Sequence, residues 1–83
     1  MIIRSPKELA ILVASRRKQL GLTQVEVADQ VGLKQKTISA FENKPEKAML
    51  ETAFLILSAL HLNLEAKSKG QISDKATHWD QEW

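Results

Sequence analysis

Cysteine is absent from this 83-residue sequence, and histidine occurs only twice. Without cysteine no disulfide can form, and nothing suggests an oxidising compartment. Two isolated histidines with no thiolate cannot assemble a four-ligand metal site, so we expect neither a metal nor a cofactor. A chain this short has a marginal core when it has neither a disulfide nor a structural metal. Stabilisation by a partner subunit is therefore expected.

Long apolar runs are also missing, and none approaches the roughly 20 residues of a membrane span. The opening Met-Ile-Ile-Arg is too short for the apolar region of a signal peptide. We expect a cytoplasmic protein with no membrane contact. No carboxylate pair, histidine–nucleophile arrangement or glycine-rich phosphate loop is recognisable, so enzymatic activity is not expected.

Charge is small in total, with a formal net charge of +2, but it is unevenly distributed. Residues 1–47 hold nine Lys and Arg against five Asp and Glu, whereas residues 48–83 hold three against five. A basic first half is compatible with a polyanion contact on one face and equally with ordinary solvation of the surface.

The spacing of apolar residues predicts three short helices in the first half, at about residues 6–20, 24–31 and 34–43. Ser5 and Thr23, each followed three residues later by glutamate, form capping boxes at the first two helix starts. Glycine follows each of these two helices, as is typical of helix ends.

A fourth helix, at about residues 49–60, is apolar on nearly every side. One apolar stripe would suffice to cover a small core, so the surplus implies a second buried face. In so short a chain that face must meet another copy or another protein. We expect Leu55 and Ile56 to contribute to a dimer interface.

Residues 62–66 alternate apolar and polar side chains, which is the period of a strand. One strand in an otherwise helical chain has no partner within it. The simplest partner is the same strand of a second subunit, with Leu62 and Leu64 in the interface. From residue 67 to residue 83 the chain is polar and aperiodic, which predicts a flexible tail interrupted by Trp79 and Trp83.

The segment from Gln24 to Asn43 has the pattern of a helix-turn-helix. Ala28 is small where the second helix must cross closely, and Gly32 permits the turn between the helices. Apolar residues at fixed spacing then lock the two helices together: Val27, Val31, Leu33, Ile38 and Phe41.

The stretch "GLTQVEVADQVGLKQKTISAFEN" resembles the phage-repressor class of helix-turn-helix proteins. The resemblance covers roughly residues 6–60. It implies an all-α, lambda-repressor-like bundle of about four helices that binds operator DNA as a dimer, with the third helix in the major groove. The predicted strand at residues 62–66 would then be the single β element, and it would pair with its counterpart across the homodimer. Residues 1–66 would form this domain and residues 67–83 the tail.

Four polar side chains are predicted to face base edges from the third helix, because a major groove admits a helix and glutamine and lysine can bind adenine and guanine there. They are Lys34, Gln35, Lys36 and Ser39. Lys34 could equally contact the backbone, and Ala40 offers at most a methyl contact to thymine. The alternative is that these residues only solvate a surface helix.

Three further residues are interpreted as phosphate contacts: Gln24, Thr37 and Lys44. Gln24 opens the second helix, whose free N–H groups favour a phosphate, whereas Lys44 could equally be ordinary surface. Arg17 and Glu42 resemble the family's structural ion pair, which joins the first and third helices.

Within this class, "KQKTISAFEN", "ETAFLILSAL" and "LNLEAK" resemble HipB-type antitoxins. That resemblance implies a repressor of its own operon that partners a HipA-type Ser/Thr kinase toxin, with a tail that docks on the toxin through Trp79 and Trp83. These tryptophans could instead fold back onto the dimer. A free-standing regulator without a toxin, and a scaffold that contacts only protein, are the alternative functions.

Overall fold

Four α-helices and one short 3₁₀ turn follow one another along residues 2–69, the part of the chain that the computed structural model describes. The helices are α1 (Pro6–Gln19), α2 (Gln24–Val31), α3 (Gln35–Asn43) and α4 (Leu50–Ala59), and the 3₁₀ turn is Pro45–Lys47. The four predicted helices are confirmed to within a residue or two. The 3₁₀ turn, which begins at Pro45, was not predicted.

Local hydrogen bonds fix the starts of α1 and α2. The Ser5 hydroxyl accepts from the Glu8 amide at 3.2 Å, and the Glu8 carboxylate accepts from the backbone N–H of Arg4. The Thr23 hydroxyl accepts from the Glu26 amide at 3.1 Å, and the Glu26 carboxylate accepts from the Thr23 amide at 2.8 Å. The predicted capping box at Thr23 is confirmed. At α1 the Ser5 cap is confirmed, but Glu8 accepts from the amide of Arg4 and not from that of Ser5, so the predicted box is only half formed. Both helix starts are nevertheless set by local hydrogen bonds.

Two glycines end the first two helices in the left-handed backbone region. Gly21 has φ +71° and Gly32 has φ +70°, values that cost a residue with a side chain roughly 1–2 kcal/mol. The Leu33 amide donates to the carbonyl of Ala28 at 2.9 Å across the Gly32 corner. This corner turns the chain sharply from α2 into α3.

One apolar core lies between the four helices. Ala28, which is 1% exposed, is the small residue predicted at the crossing of α2 and α3. All four helices contribute to this core, whose buried members are Ala10, Val13, Val27, Ala28, Ile38, Phe41, Ala53, Ile56, Leu57, Ala59 and Leu60. The core therefore fixes the position of α3 relative to the rest of the bundle.

The outer face of α4 remains apolar and open, as the surplus of apolar residues predicted. Met49, Leu50 and Phe54 are 68%, 73% and 48% exposed, and Leu55 is half-buried. The prediction that Ile56 belongs to a dimer interface was wrong. Ile56 is fully buried in the chain's own core, because it lies on the face of α4 that packs inward.

Residues 61–69 leave α4 through a turn at His61, whose φ is +58°. The Leu62 amide donates to the Leu57 carbonyl at 2.9 Å, and Leu62 packs against the core while Leu64 is 59% exposed. No regular secondary structure is assigned to residues 62–69 of this single chain. The predicted strand and the boundary between residues 66 and 67 stay predictions. Among the helices of residues 2–69, none has the length and apolarity needed to cross a membrane.

Candidate nucleic-acid interface

The start of α3 is a polar surface held on a rigid support. Lys34 precedes the helix, and its backbone carbonyl accepts from the amides of Thr37 and Ile38 at 2.9 and 3.3 Å. Ile38 is fully buried and anchors this turn in the core. The side chains of Lys34, Gln35 and Lys36 are exposed on the outside of the same turn.

The predicted base-reading residues therefore share one outer surface of α3, which we call the α3 surface: Lys34, Gln35, Lys36, Ser39 and Ala40. Ser39 is half-buried and Ala40 is exposed. The Asn43 amide donates to the Ser39 carbonyl at 2.8 Å and lies 3.3 Å from its hydroxyl. Asn43 thus limits the rotation of the Ser39 side chain, and the assignment of base contacts to these residues stays a prediction.

The predicted phosphate contacts Thr37 and Lys44 lie beside the α3 surface, in an open groove of about 390 Å³ between α3, the 3₁₀ turn and the start of α4. Lys36, Lys44 and Lys47 all line this groove. Lys47 is a cation that sequence reasoning missed, because the 3₁₀ turn that carries it was not predicted. Three lysines therefore lie along this edge of α3 and give it a positive charge.

The third predicted phosphate contact, Gln24, is hydrogen-bonded to two partners. Its amide nitrogen donates to Glu42 Oε1 at 3.1 Å, and its amide oxygen accepts from Gln35 Nε2 at 2.6 Å. These contacts use one of the two N–H groups of Gln24. The other remains a possible donor to a phosphate.

The predicted ion pair between Arg17 and Glu42 is confirmed and is bidentate. Arg17 Nε donates to Glu42 Oε2 at 2.8 Å and the guanidinium also donates to Oε1 at 3.1 Å. A third N–H of Arg17 donates to the carbonyl of Leu22 at 3.0 Å. The side chains are 12% and 9% exposed, so this pair joins α1 to α3 largely away from water.

Burial by itself would raise the pKa of Glu42, but other contacts outweigh it. Hydrogen bonds from Arg17 and Gln24, with the positive charges of Arg17 and Lys18, hold the pKa of this carboxyl below its ordinary value. The hydrogen bond to Glu42 likewise raises the pKa of Arg17. Both groups are therefore charged at neutral pH, and the carboxylate can only accept hydrogen bonds.

Arg17, Glu42, Gln24 and Gln35 thus form one continuous row of hydrogen bonds from α1 to the α3 surface. The sequence predicted each residue but not the row. A signal was available, because Gln24 and Gln35 are the first residues of two helices packed around one corner. Within residues 2–69 no group of three or more histidine, cysteine, aspartate or glutamate side chains is arranged to hold a metal.

Comparison with known proteins gives one consistent result. A helix-turn-helix family model matches residues 13–66. The chain is 42% identical to Antitoxin HipB of Escherichia coli O6:H1 over 98% of its own length and 87% of that protein. It is 41% identical to Antitoxin HipB of Escherichia coli K12 over 90% of this chain and 85% of that protein.

Solved structures agree. A complex of a HipB variant with an O2 20-mer matches with a TM-score of 0.81 and 41% identity, covering 84% of this chain and 97% of that chain. A HipA–HipB–O2–O3 complex matches with a TM-score of 0.82 and 41% identity, covering 84% and 99%. Similarity of this extent in both sequence and fold shows the family. The chain belongs to the HipB antitoxin family of helix-turn-helix proteins.

Proposed function

We propose that this chain is a sequence-specific DNA-binding repressor that acts as a homodimer, controls its own operon, and is the antitoxin of a HipA-type Ser/Thr kinase. The observation that carries the proposal is the α3 surface. It is polar, it projects from the second helix of a helix-turn-helix, and its lysines flank it on the groove side. This combination matches what a major groove requires of a reading helix.

Charge distribution supports the same surface. Lys36, Lys44 and Lys47 line one groove beside α3, and the one carboxylate in the hydrogen-bonded row, that of Glu42, is neutralised by Arg17. An unpaired carboxylate beside a reading helix would repel phosphates, and here the pairing removes that repulsion. Each lysine that contacts a phosphate adds roughly one counterion to the salt dependence of binding.

Dimerisation is supported by exposed apolar side chains at the end of α4. An open groove of about 700 Å³ is lined by Phe54, Leu57, Ser58, His61, Leu62, Asn63 and Leu64. Phe54 and Leu64 are 48% and 59% exposed there. A second copy would bury these side chains, and residues 62–66 of the two copies would pair as the strand that their alternation predicts.

The toxin contact is proposed for the tail. HipA and HipB occur together in a solved complex of the relatives, and tryptophan is a frequent anchor of protein interfaces. Trp79 and Trp83, the residues predicted to dock on the kinase, lie outside the described residues. An operator-bound repressor works where the chromosome is, so the proposal includes a cytoplasmic location with the bacterial nucleoid.

The DNA part of this proposal is tested by the double variant Gln35→Ala/Lys36→Ala. We expect roughly a 100-fold loss of affinity for a duplex from upstream of the chain's own gene, because each base contact contributes roughly 1–3 kcal/mol. Fluorescence anisotropy at several salt concentrations measures both the affinity and its salt slope. Lys7→Ala, which removes an exposed lysine from the first turn of α1, is the control. Unchanged affinity and slope in the double variant would contradict the assignment.

The toxin part is tested by removing residues 70–83. DNA binding is expected to persist, whereas capture of the co-expressed HipA-type kinase is expected to fall at least tenfold. A free-standing regulator would show no such kinase in either preparation.

A further inference from the structure

Glu42 lies at the inner end of the hydrogen-bonded row whose outer end is Gln35. Arg17 donates to both of its carboxylate oxygens, and Gln24 Nε2 donates to Oε1 at 3.1 Å. The Gln24 amide oxygen in turn accepts from Gln35 at 2.6 Å. The carboxylate of Glu42, whose side chain is 9% exposed, is therefore linked through Gln24 to Gln35, a predicted base contact.

This row can run in only one direction. A carboxylate only accepts hydrogen bonds, so Gln24 must turn its amide nitrogen toward Glu42 and its oxygen toward Gln35. Gln35 must then give one of its own N–H groups to that oxygen. What Gln35 still presents outward is its amide oxygen, an acceptor, and its second N–H, a donor.

One acceptor beside one donor matches one purine and not the other. In the major groove adenine presents the N6 amino donor and the N7 acceptor, whereas guanine presents two acceptors, O6 and N7. A glutamine with both N–H groups free could donate to both acceptors of guanine. A glutamine with one N–H already engaged would face O6 of guanine with its own oxygen.

We propose that Glu42 is a positioning residue for base selection: through Gln24 it fixes the amide of Gln35 in the orientation that accepts adenine and rejects guanine. This inference rests on the proposed function, since it needs Gln35 to face a base. Arg17 contributes by holding the carboxylate in place, and its three hydrogen bonds all point to Glu42 and Leu22 rather than outward.

The test replaces the acceptor-only group with an amide. In Glu42→Gln the new side chain has one acceptor and one donor, and Arg17 competes for the acceptor. The orientation of Gln24 is then no longer dictated. The probes are 20-base-pair duplexes selected from a random pool by the unaltered protein, each compared with versions in which one A·T pair is changed to G·C.

At the position whose preference Gln35→Ala abolishes, we expect the unaltered protein to prefer adenine over guanine by roughly tenfold or more. In Glu42→Gln this ratio of dissociation constants is expected to fall to less than a third of that value. A residue that served only the fold would weaken binding to both duplexes equally and leave the ratio unchanged. Asp29→Asn, the same change at an exposed position of α2, is the control and should keep the ratio.

A second variant keeps the test valid if Glu42→Gln unfolds. Gln24→Met interrupts the row without touching the ion pair, and it is expected to lower the same ratio. Neither change should alter the ratio further when Gln35 is already alanine. If both variants are folded and keep the ratio within a factor of 1.5 or so, the inference is overturned.

The outcomes also separate this inference from the proposed function. If Gln35→Ala changes the preference at no position, base reading by Gln35 is wrong. If Gln35→Ala abolishes the adenine preference but Glu42→Gln and Gln24→Met retain it, only the role of Glu42 is wrong.

Discussion

The α3 surface and the outer face of α4 are built in opposite ways. Gln35, at the start of α3, belongs to a row of hydrogen bonds that reaches back to Arg17 on another helix. On α4, Leu50 and Phe54 are 73% and 48% exposed and offer only apolar area. Fixed donors and acceptors discriminate between ligands, whereas apolar area stabilises association with little discrimination. The first surface is therefore suited to choosing a sequence and the second to holding two copies together.

The largest expected effect comes from placing a charge on the apolar surface. Phe54→Asp would bury a carboxylate twice in a two-fold interface, so dimerisation is expected to weaken by at least roughly 100-fold. Because Phe54 is half exposed in the single chain, the helical fold should persist. Sedimentation equilibrium measures the dimer, and far-ultraviolet circular dichroism measures the fold.

Ile11→Asp is the matched control for that change, since Ile11 is 51% exposed on α1. A Phe54→Asp protein that sediments like the unaltered protein would show that α4 does not form the interface. The division of roles between the two surfaces would then be wrong.

A smaller effect is expected at the ion pair between Arg17 and Glu42. Arg17→Ala leaves the carboxylate of Glu42 buried without a cation. The free energy of unfolding should fall by about 2–3 kcal/mol at neutral pH. Lys18→Ala, which removes a neighbouring exposed cation, should change it by less than about 0.5 kcal/mol. Urea unfolding measures both values, and equal losses in the two variants would contradict the role of the pair.

Lowering the pH tests the role of the same ion pair. The pKa of Glu42 is lowered in the folded chain, so its contribution to stability is present above the ordinary glutamate pKa of about 4.3 and is lost as pH falls through the folded value. The difference between the unaltered protein and Arg17→Ala should therefore shrink between pH 5 and pH 3. A difference that stays constant over this range would show that the charge of Glu42 is not involved.

The smallest expected effect is at His61, in the turn that connects α4 to residues 62–69. His61 has φ +58°, the one positive φ outside glycine within residues 2–69. His61→Gly should raise the free energy of unfolding by about 0.5 kcal/mol, because relief of the strain outweighs the greater chain entropy of glycine. Asn63→Gly should not stabilise, and thermal unfolding of both variants checks the difference.

Local chemistry explains why much of the fold could be predicted from the sequence. The Ser5 cap, the Thr23 capping box and the glycines at the ends of α1 and α2 act over three or four residues and need no knowledge of the rest of the chain. The pairing of Arg17 with Glu42 was predicted only because the chain resembles a family. Nothing in the spacing of these two residues requires them to meet.

Long-range packing explains what could not be predicted. On α4, apolar residues surround the helix, so periodicity does not say which side faces inward, and Ile56 was assigned to the wrong face. The bonds from Gln24 to Glu42 and Gln35 span 18 and 11 residues and depend on how three helices meet. The candidate site was thus predictable as a set of residues but not as a hydrogen-bonded arrangement.

A nuclear magnetic resonance titration of the labelled protein with an operator duplex tests the separation of the two surfaces most directly. We expect the backbone amides of Gln24, Gln35, Lys36 and Ser39 to shift, while those of Leu50 and Phe54 keep the positions they have in the free protein. Shifts concentrated on the outer face of α4, with the start of α3 unchanged, would contradict the account.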